Sequence, residues 1–343
     1  MKSERRPPTV TMADVAARAG VSRALVSIVF RGVPGASPAT RQRVMQAAED
    51  LDYRPDQRAR LLGSNRSRTI GVVFGLHHEF HAELLEALYR AIDPTGYDLA
   101  LGAAAPTRDE RRAVQSLLDY RCECLILLGP TLPRAAIEEL SDRLPVIVVA
   151  RALPRTSVDV VRTDDFTGAR LAVEHLAGLG HTSITHVDGR RAPGAGERRR
   201  GYRAAMRDLG LLSETRIIAG GLTEGDGEQA AARLLASTPP TAVTAFNDHC
   251  AVGLLAAVRL RGMRLPSALS VVGYDDSHVA GLTTVALTTI AQDAPTLAAS
   301  ALDLALTRAD HGRGGSSPSE IVVPPRLVVR HTTAPPGGGP SRP

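Results

Sequence analysis

Lysine is almost missing from this 343-residue chain: of 41 basic residues only Lys2 is a lysine, so wherever the chain is basic it is arginine. Cysteine is scarce too. Cys122, Cys124 and Cys250 match neither a zinc spacing nor a disulfide framework and read as ordinary buried thiols, although Cys122-Glu123-Cys124 leaves a metal half-site open at the start of a strand. No run of about eighteen apolar residues and no apolar leader appears, so neither a helical membrane span nor secretion is indicated, and the chain is expected in the cytoplasm. Enzyme signatures are also lacking. "DGRRAPGAGERRRG" follows a strand but matches neither G-x-G-x-x-G nor the P-loop, and there is no G-x-S-x-G elbow. "HHEFH" places His77 and His81 four apart without the H-E-x-x-H order or a third ligand. Neither a metal nor a cofactor is expected.

What is present is unevenly placed. Residues 1–69 hold 13 Lys+Arg against 6 Asp+Glu, leaving 28 against 30 for the remainder, so the net charge of +5 is local to the N-terminal segment. A basic module on a near-neutral body points to a polyanion, because each phosphate neutralised releases counterions; a solvated arginine-rich face is the alternative.

The segment "ADVAARAGVSRALVSIVF" contains two short helical patterns around Gly20. Val15, Ala16 and Ala19 form the inner face of the first, with Asp14 in its first turn, where the helix dipole favours negative charge. Gly20 supplies the backbone freedom of a tight turn, Val21 packs inward, and Ser22 caps the second helix. There Val26 and Val29 face inward, whereas Arg23, Ala24, Ser27 and Ile28 face out. Ser37-Pro38 opens a third helix carrying Val44, Ala47, Ala48 and Leu51. Three such helices in about fifty residues predict a helix-turn-helix fold that projects its second helix into the DNA major groove. After Tyr53, "DQRARLLGSNRSR" reads as a linker; it also places Ala59 and Leu62 on one side of a short helix, suited to minor-groove insertion.

From Thr69 onward short apolar strands alternate with amphipathic helices in two sets, predicting an α/β core of two lobes with parallel sheets. Ligands of such sheets bind beyond the carboxyl ends of strands. The residues there are His77, His78, Phe80, His81, Asp164, Asp165, Arg198, Asn247, Asp248, Asp275 and Asp276. This set suits a small polar, hydroxyl-rich ligand. Acidic residues after strands also serve as helix caps, and Asp165 and Asp248 are open to that reading.

With these features in place, the chain resembles the lactose-repressor family of bacterial transcription regulators over nearly its whole length. "MADVAARAGVSRALVS" and "SPATRQRVMQAAEDLDYRPDQRARLL" carry the resemblance in the head, and "DDFTGARLAVEHLAGLGHTSITHVDG", "LSVVGYDD" and "LTTIAQD" in the core. The resemblance implies a two-lobed periplasmic-binding-protein-like core behind a three-helix head, and a homodimer on a pseudo-palindromic double-stranded operator. It places Thr11, Ser22, Arg23, Ala24, Leu25, Ser27, Ile28, Arg31, Tyr53, Ala59 and Leu62 at the DNA, with Leu62 wedged into the minor groove. It places Phe80, His81, Asp164, Asp165, Arg198, Asn247, Asp248 and Asp275 at a small-molecule effector, a sugar or related metabolite. Leu25 and Ile28 stand where family members usually carry threonine and arginine, removing a bidentate guanine contact, so the operator is expected to differ from the family's usual half-site.

The expected organisation is a head over 1–54, a hinge over 55–68 and a core over 69–333. One lobe comprises 69–163 with about 291–318, the other 164–290 with about 319–330, and 334–343 form a disordered tail without a tetramerising heptad pattern. The expected function is an effector-controlled repressor. A transporter's solute receptor shares the two-lobed architecture but would need an export signal, and a small-molecule enzyme would need a catalytic set.

Overall fold

The computed structural model describes residues 10–30, 33–53, 66–311 and 317–337. Its contacts divide it into two units, Met1–Ser67 and Arg68–Pro343. Arg31, Ala59, Leu62 and most of the expected hinge lie outside the described residues.

In the smaller unit, α1 (Met12–Ala19), α2 (Arg23–Phe30) and α3 (Pro38–Asp50) enclose a core centred on Val15, Val26 and Val44, all fully buried. The Asp14 carboxylate accepts from both the backbone N–H and the hydroxyl of Thr11, fixing the start of α1. Gly20, at φ 66°, ends that helix: its N–H reaches Ala17 O and the Val21 N–H reaches Ala16 O, a paired C-terminal lock that favours glycine. Ser22 Oγ accepts from the Leu25 N–H at 3.2 Å and starts α2 at once. Ser37 does the same for α3 through the Thr40 N–H.

In the larger unit the chain runs through β1 (Thr69–Gly75), α4 (Glu79–Ile92), β2 (Asp98–Ala104), α5 (Glu110–Asp119), β3 (Cys124–Leu128), α6 (Arg134–Ser141), β4 (Val146–Val149) and β5 (Asp159–Thr163). It then crosses into a second lobe: α7 (Asp165–Gly178), β6 (Ile184–Asp188), α8 (Ala195–Asp208), β7 (Arg216–Ala219), α9 (Glu224–Leu235), β8 (Ala242–Ala245), α10 (Asp248–Leu260), β9 (Ser270–Asp275), α11 (His278–Gly281) and β10 (Thr288–Ala291). α12 (Ala294–His311) and β11 (Glu320–Val323) return to the first lobe, and β12 (Arg326–Val328) closes the second.

The first sheet has the order β11-β5-β4-β3-β1-β2 and is parallel throughout. The second, β12-β10-β9-β8-β6-β7, is parallel except for β12. Helices cover both faces, which is why strands such as "CLILL" are apolar at every position and buried along their length. In the second lobe α7 and α8 pack so closely that a Cβ on Gly201 would stand 2.2 Å from Phe166 O.

Two expectations about the C-terminal part need correction. The stretch assigned to the second lobe, about 319–330, is divided: Glu320–Val323 pairs with β5 in the first sheet, and only Arg326–Val328 joins β10. Pro324 and Pro325 stand between them and cannot donate to a ladder, so the chain leaves one sheet before entering the other. Ala334, expected in a disordered tail, is tied to the second lobe. Its N–H donates to Ser270 Oγ, and its carbonyl accepts from that hydroxyl at 3.0 Å.

Register brings the crossings together. Thr163 stands opposite Val323, and Asp275 opposite Ala291, so the carboxyl ends of β5, β9 and β10 meet where the two lobes face each other.

Candidate functional site

Two surfaces carry the expected chemistry. On the head, Arg23 and Ala24 begin α2 exposed, with exposed Ser22 before them. Leu25, Ser27 and Ile28 are half-buried rather than free on the outer face, and the Ile28 side chain lies against the loop at Gly35. Thr11 is exposed, though its N–H and hydroxyl are already engaged by Asp14. Tyr53 is half-buried, its ring 5.7 Å from that of Phe30, which makes it part of the seam that closes the three-helix core.

The second surface is the cleft between the lobes, and Arg198 is its centre. This guanidinium, in the first turn of α8, is 6% exposed. Its Nε donates to Asp165 Oδ1 at 2.8 Å and its Nη1 to Phe246 O at 2.6 Å, while Nη2 stands 3.7 Å from Asp275 Oδ1. The ring of Tyr274 lies 3.5 Å below it and that of Phe246 4.6 Å away. Burial works against the charge, but Asp165, Tyr274 and Asp275 outweigh it and raise the pKa further. The result is a fixed cation whose donors are largely spoken for.

Asp275 ends β9 at φ 111° and takes a hydrogen bond from Gln292 Nε2 at 2.8 Å. Burial pushes its carboxyl up to about 6, against the pull of Arg198. Asn247 caps α10, accepting from the Cys250 N–H and donating to Leu222 O, and its side chain borders the cleft. From the first lobe come Phe80 and His81 on α4, with Gly129 and Ala150 after β3 and β4. His81 Nδ1 accepts from the Gly75 N–H at 3.0 Å, which assigns the ring proton to Nε2. That nitrogen sits where a Cβ on Gly129 would approach within 2.8 Å. Burial lowers the His81 pKa to about 3, so the ring stays neutral. His78 stacks on it at 4.6 Å and also lines the cleft; His77 is exposed.

Asp164 and Asp248 do not join this group. Asp164 caps α7, with both oxygens on Thr167. Asp248 is fully buried: Oδ2 accepts from the N–H and hydroxyl of Ser277, and Oδ1 from the Thr289 hydroxyl at 2.6 Å. It pins the loop after β9 to α10 rather than facing the opening. Asp276 is likewise turned to Arg330, at 2.7 Å.

The structure adds residues that sequence reasoning passed over. Gln292, just past β10, accepts from the Thr163 hydroxyl at 2.6 Å and donates to Asp275, joining both crossings at the cleft. Its position directly after a strand was the available signal. Phe246, Glu79 and His249 also line the opening. The free space is about 50 Å³, room for a few waters and well under the ~300 Å³ of small ligand pockets. A sugar ring enters only when the lobes part or side chains turn.

Comparison with known proteins fits this arrangement. A model of bacterial regulatory proteins of the lacI family matches residues 11–56, and a periplasmic binding protein-like domain matches residues 173–333. The transcriptional regulator DegA of Bacillus subtilis is 31% identical over 333 residues, 95% of this chain and 98% of its own. GalR of Escherichia coli is 33% identical over 334 residues, 95% of this chain and 96% of its own. Among solved structures, a LacI transcriptional regulator from a Rhodococcus species shares 46% identity at TM-score 0.75 and covers 78% of this chain and 98% of its own. The lac repressor dimer bound to operator and the anti-inducer ONPF reaches TM-score 0.83 at 28% identity, covering 95% of this chain and 99% of its own.

Proposed function

The chain belongs to the lacI family of bacterial regulatory proteins, and from that premise we propose a dimeric repressor that grips an operator through α2 and is controlled by a small hydroxyl-rich effector between the lobes. The observation that carries it is the pairing, in one chain, of an exposed Arg23-Ala24 helix start with a cleft centred on a buried guanidinium. Arg23, with Ser22 and Ala24, contacts DNA. Leu25, Ser27 and Ile28 serve the same interface in part, their apolar carbons suited to thymine methyls. Arg31 holds a phosphate, Thr11 and Tyr53 lie at the edge of the same DNA interface, and Ala59 and Leu62 form the minor-groove wedge. The division into a head over 1–54, a hinge over 55–68 and a two-lobed core belongs to the same reading.

Effector contact falls to Phe80, His81, Arg198, Asn247, Asp275 and Gln292, with Asp165 orienting Arg198. Binding rather than turnover is supported by the commitment of the carboxylates, since Asp165 and Asp275 hold the guanidinium. The effector works by binding one lobe arrangement more tightly, and linkage passes that preference to the DNA-binding heads. On this reading the protein acts in the cytoplasm, where its operator is.

Selection of duplexes from a random pool by the full chain, with and without a metabolite panel, tests the proposal. It should return a pseudo-palindromic site whose occupancy changes with one class of metabolite, and Arg23→Ala should weaken that site far more than random duplex. Recovery of no site above scrambled competitor under every condition would overturn it.

A further inference from the structure

One group at the cleft mouth stands outside the effector contacts proposed above. His249, in the first turn of α10 in the second lobe, bonds through Nδ1 to Glu224 at the start of α9 and through Nε2 to Glu79 at the start of α4. Glu224 belongs to its own lobe, but Glu79 belongs to the other. The His249 side chain is 19% exposed, Glu79 42% and Glu224 51%, so the chain of three spans the rim rather than the floor. An imidazole that donates to two carboxylates at once has to carry both ring protons.

We propose that His249 is a proton-dependent latch between the lobes, closing the effector cleft as an imidazolium bridging Glu79 and Glu224 and releasing the first lobe when it loses its proton. It is a positioning residue for effector binding, and the proposal rests on the reading of the cleft given above. The charged groups facing the ring are Glu79 from α4, Glu224 from α9 and Asp275 at the end of β9, all carboxylates that favour the protonated form. Burial opposes them, yet the bonds to Glu224 and Glu79 raise the histidine's pKa above its ordinary value. Opening the lobes removes the Glu79 contact and returns the ring towards its usual range. Closure is therefore fully supported below the open-state pKa and is lost as the pH rises through the closed-state pKa.

The first measurement needs no effector: NMR titration of ring-labelled histidines in the full chain, wild type against Glu79→Gln. The His249 pKa should lie above about 6.5 and fall clearly in the variant; identical titration in both would overturn the latch. The second places spin labels at Tyr120→Cys and Leu212→Cys, each 60% exposed and on different lobes, in a chain whose own cysteines are buried. Inter-label distances should lengthen between about pH 6 and about pH 9 in the otherwise wild-type protein, and stay long in His249→Gln at both. A distribution unchanged by pH and by the substitution would also overturn it. Because both readouts are taken without ligand, their failure leaves the proposed function standing. Failure to find an operator would leave the latch standing in turn.

Discussion

The two lobes share a strand pattern but contribute opposite kinds of chemistry to the cleft. The second lobe brings the charges, Arg198 with its Asp165 counter-ion, Asp275 and His249, and beside them the neutral Asn247 amide. The first brings, at the floor, a neutral ring pair and small residues, namely Phe80, His81, Gly129 and Ala150, with Glu79 at the rim. A ligand seated on the second lobe therefore keeps most of its directional hydrogen bonds when the lobes part. The first lobe adds shape, dryness and one fixed donor. Binding strength should follow the second lobe, and the conformational response should follow the first.

The harshest way to break that division is Arg198→Ala. It takes the guanidinium from buried Asp165 and from Asp275, which keeps its bond to Gln292, a loss of about 3–5 kcal/mol in denaturant unfolding of the core. Effector response should disappear, while a head that folds around its own Val15, Val26 and Val44 core still binds duplex DNA. A normal response in this variant would mean the effector sits elsewhere. Asp248→Ala comes next and should separate stability from binding. Ser277 and Thr289 lose a buried acceptor, costing about 1–3 kcal/mol, partly offset because burial and neighbouring Asp275 already strain the Asp248 charge. Effector affinity measured by calorimetry should change less than threefold. A loss as complete as that in Arg198→Ala would return Asp248 to the contact set.

These two residues also show where sequence stops being informative. Gly20, Ser22, Ser37-Pro38 and the alternation of apolar strands with amphipathic helices were legible, because local chemistry fixes caps, turns and periodicity. Asp248 and Asp275 read alike, each an acid just past a strand. Only the path of the loop that carries Ser277 past α10 turns one inward and leaves the other at the opening. Gln292 offered only its place after a strand, because its role comes from the register that sets β5 beside β11 and β9 beside β10, a long-range fact. Ser27 and Ile28 read as outward by helical period, yet a helix of only eight residues has neighbours on more than one side, and both are half-covered.

Gln292→Ala tests the hinge between the lobes. It removes one hydrogen bond to Thr163, worth about 0.5–1.5 kcal/mol, and one to the Asp275 carboxylate, worth about 1.5–3 kcal/mol when that group is ionised. If the glutamine steadies the crossing, effector affinity drops modestly while the coupling between effector and operator, measured as the ratio of operator affinities with and without ligand, drops more. Equal losses in both would make it a plain contact.

The smallest effect, and the cleanest on the neutral side of the comparison, should come from His81→Phe. The ring volume and the stack on His78 survive, but the Nε2 donor is lost and the Gly75 N–H loses its acceptor. One neutral hydrogen bond is worth about 0.5–1.5 kcal/mol, so effector affinity should fall roughly threefold to tenfold. That loss should be constant between about pH 6 and about pH 9, because a ring with its pKa near 3 does not titrate there, in contrast to His249. At lower pH the sign is different. The unfolded ring takes up a proton near 6.5 that the folded ring refuses until about 3, so His81 drains stability from the native core as the pH falls through that window. His186, fully buried against Thr244 and also held near 3, does the same. Acid unfolding of His81→Phe should then be shallower than that of the wild type by the share of one histidine; curves of equal slope would show that the His81 ring is not buried in the neutral form at all.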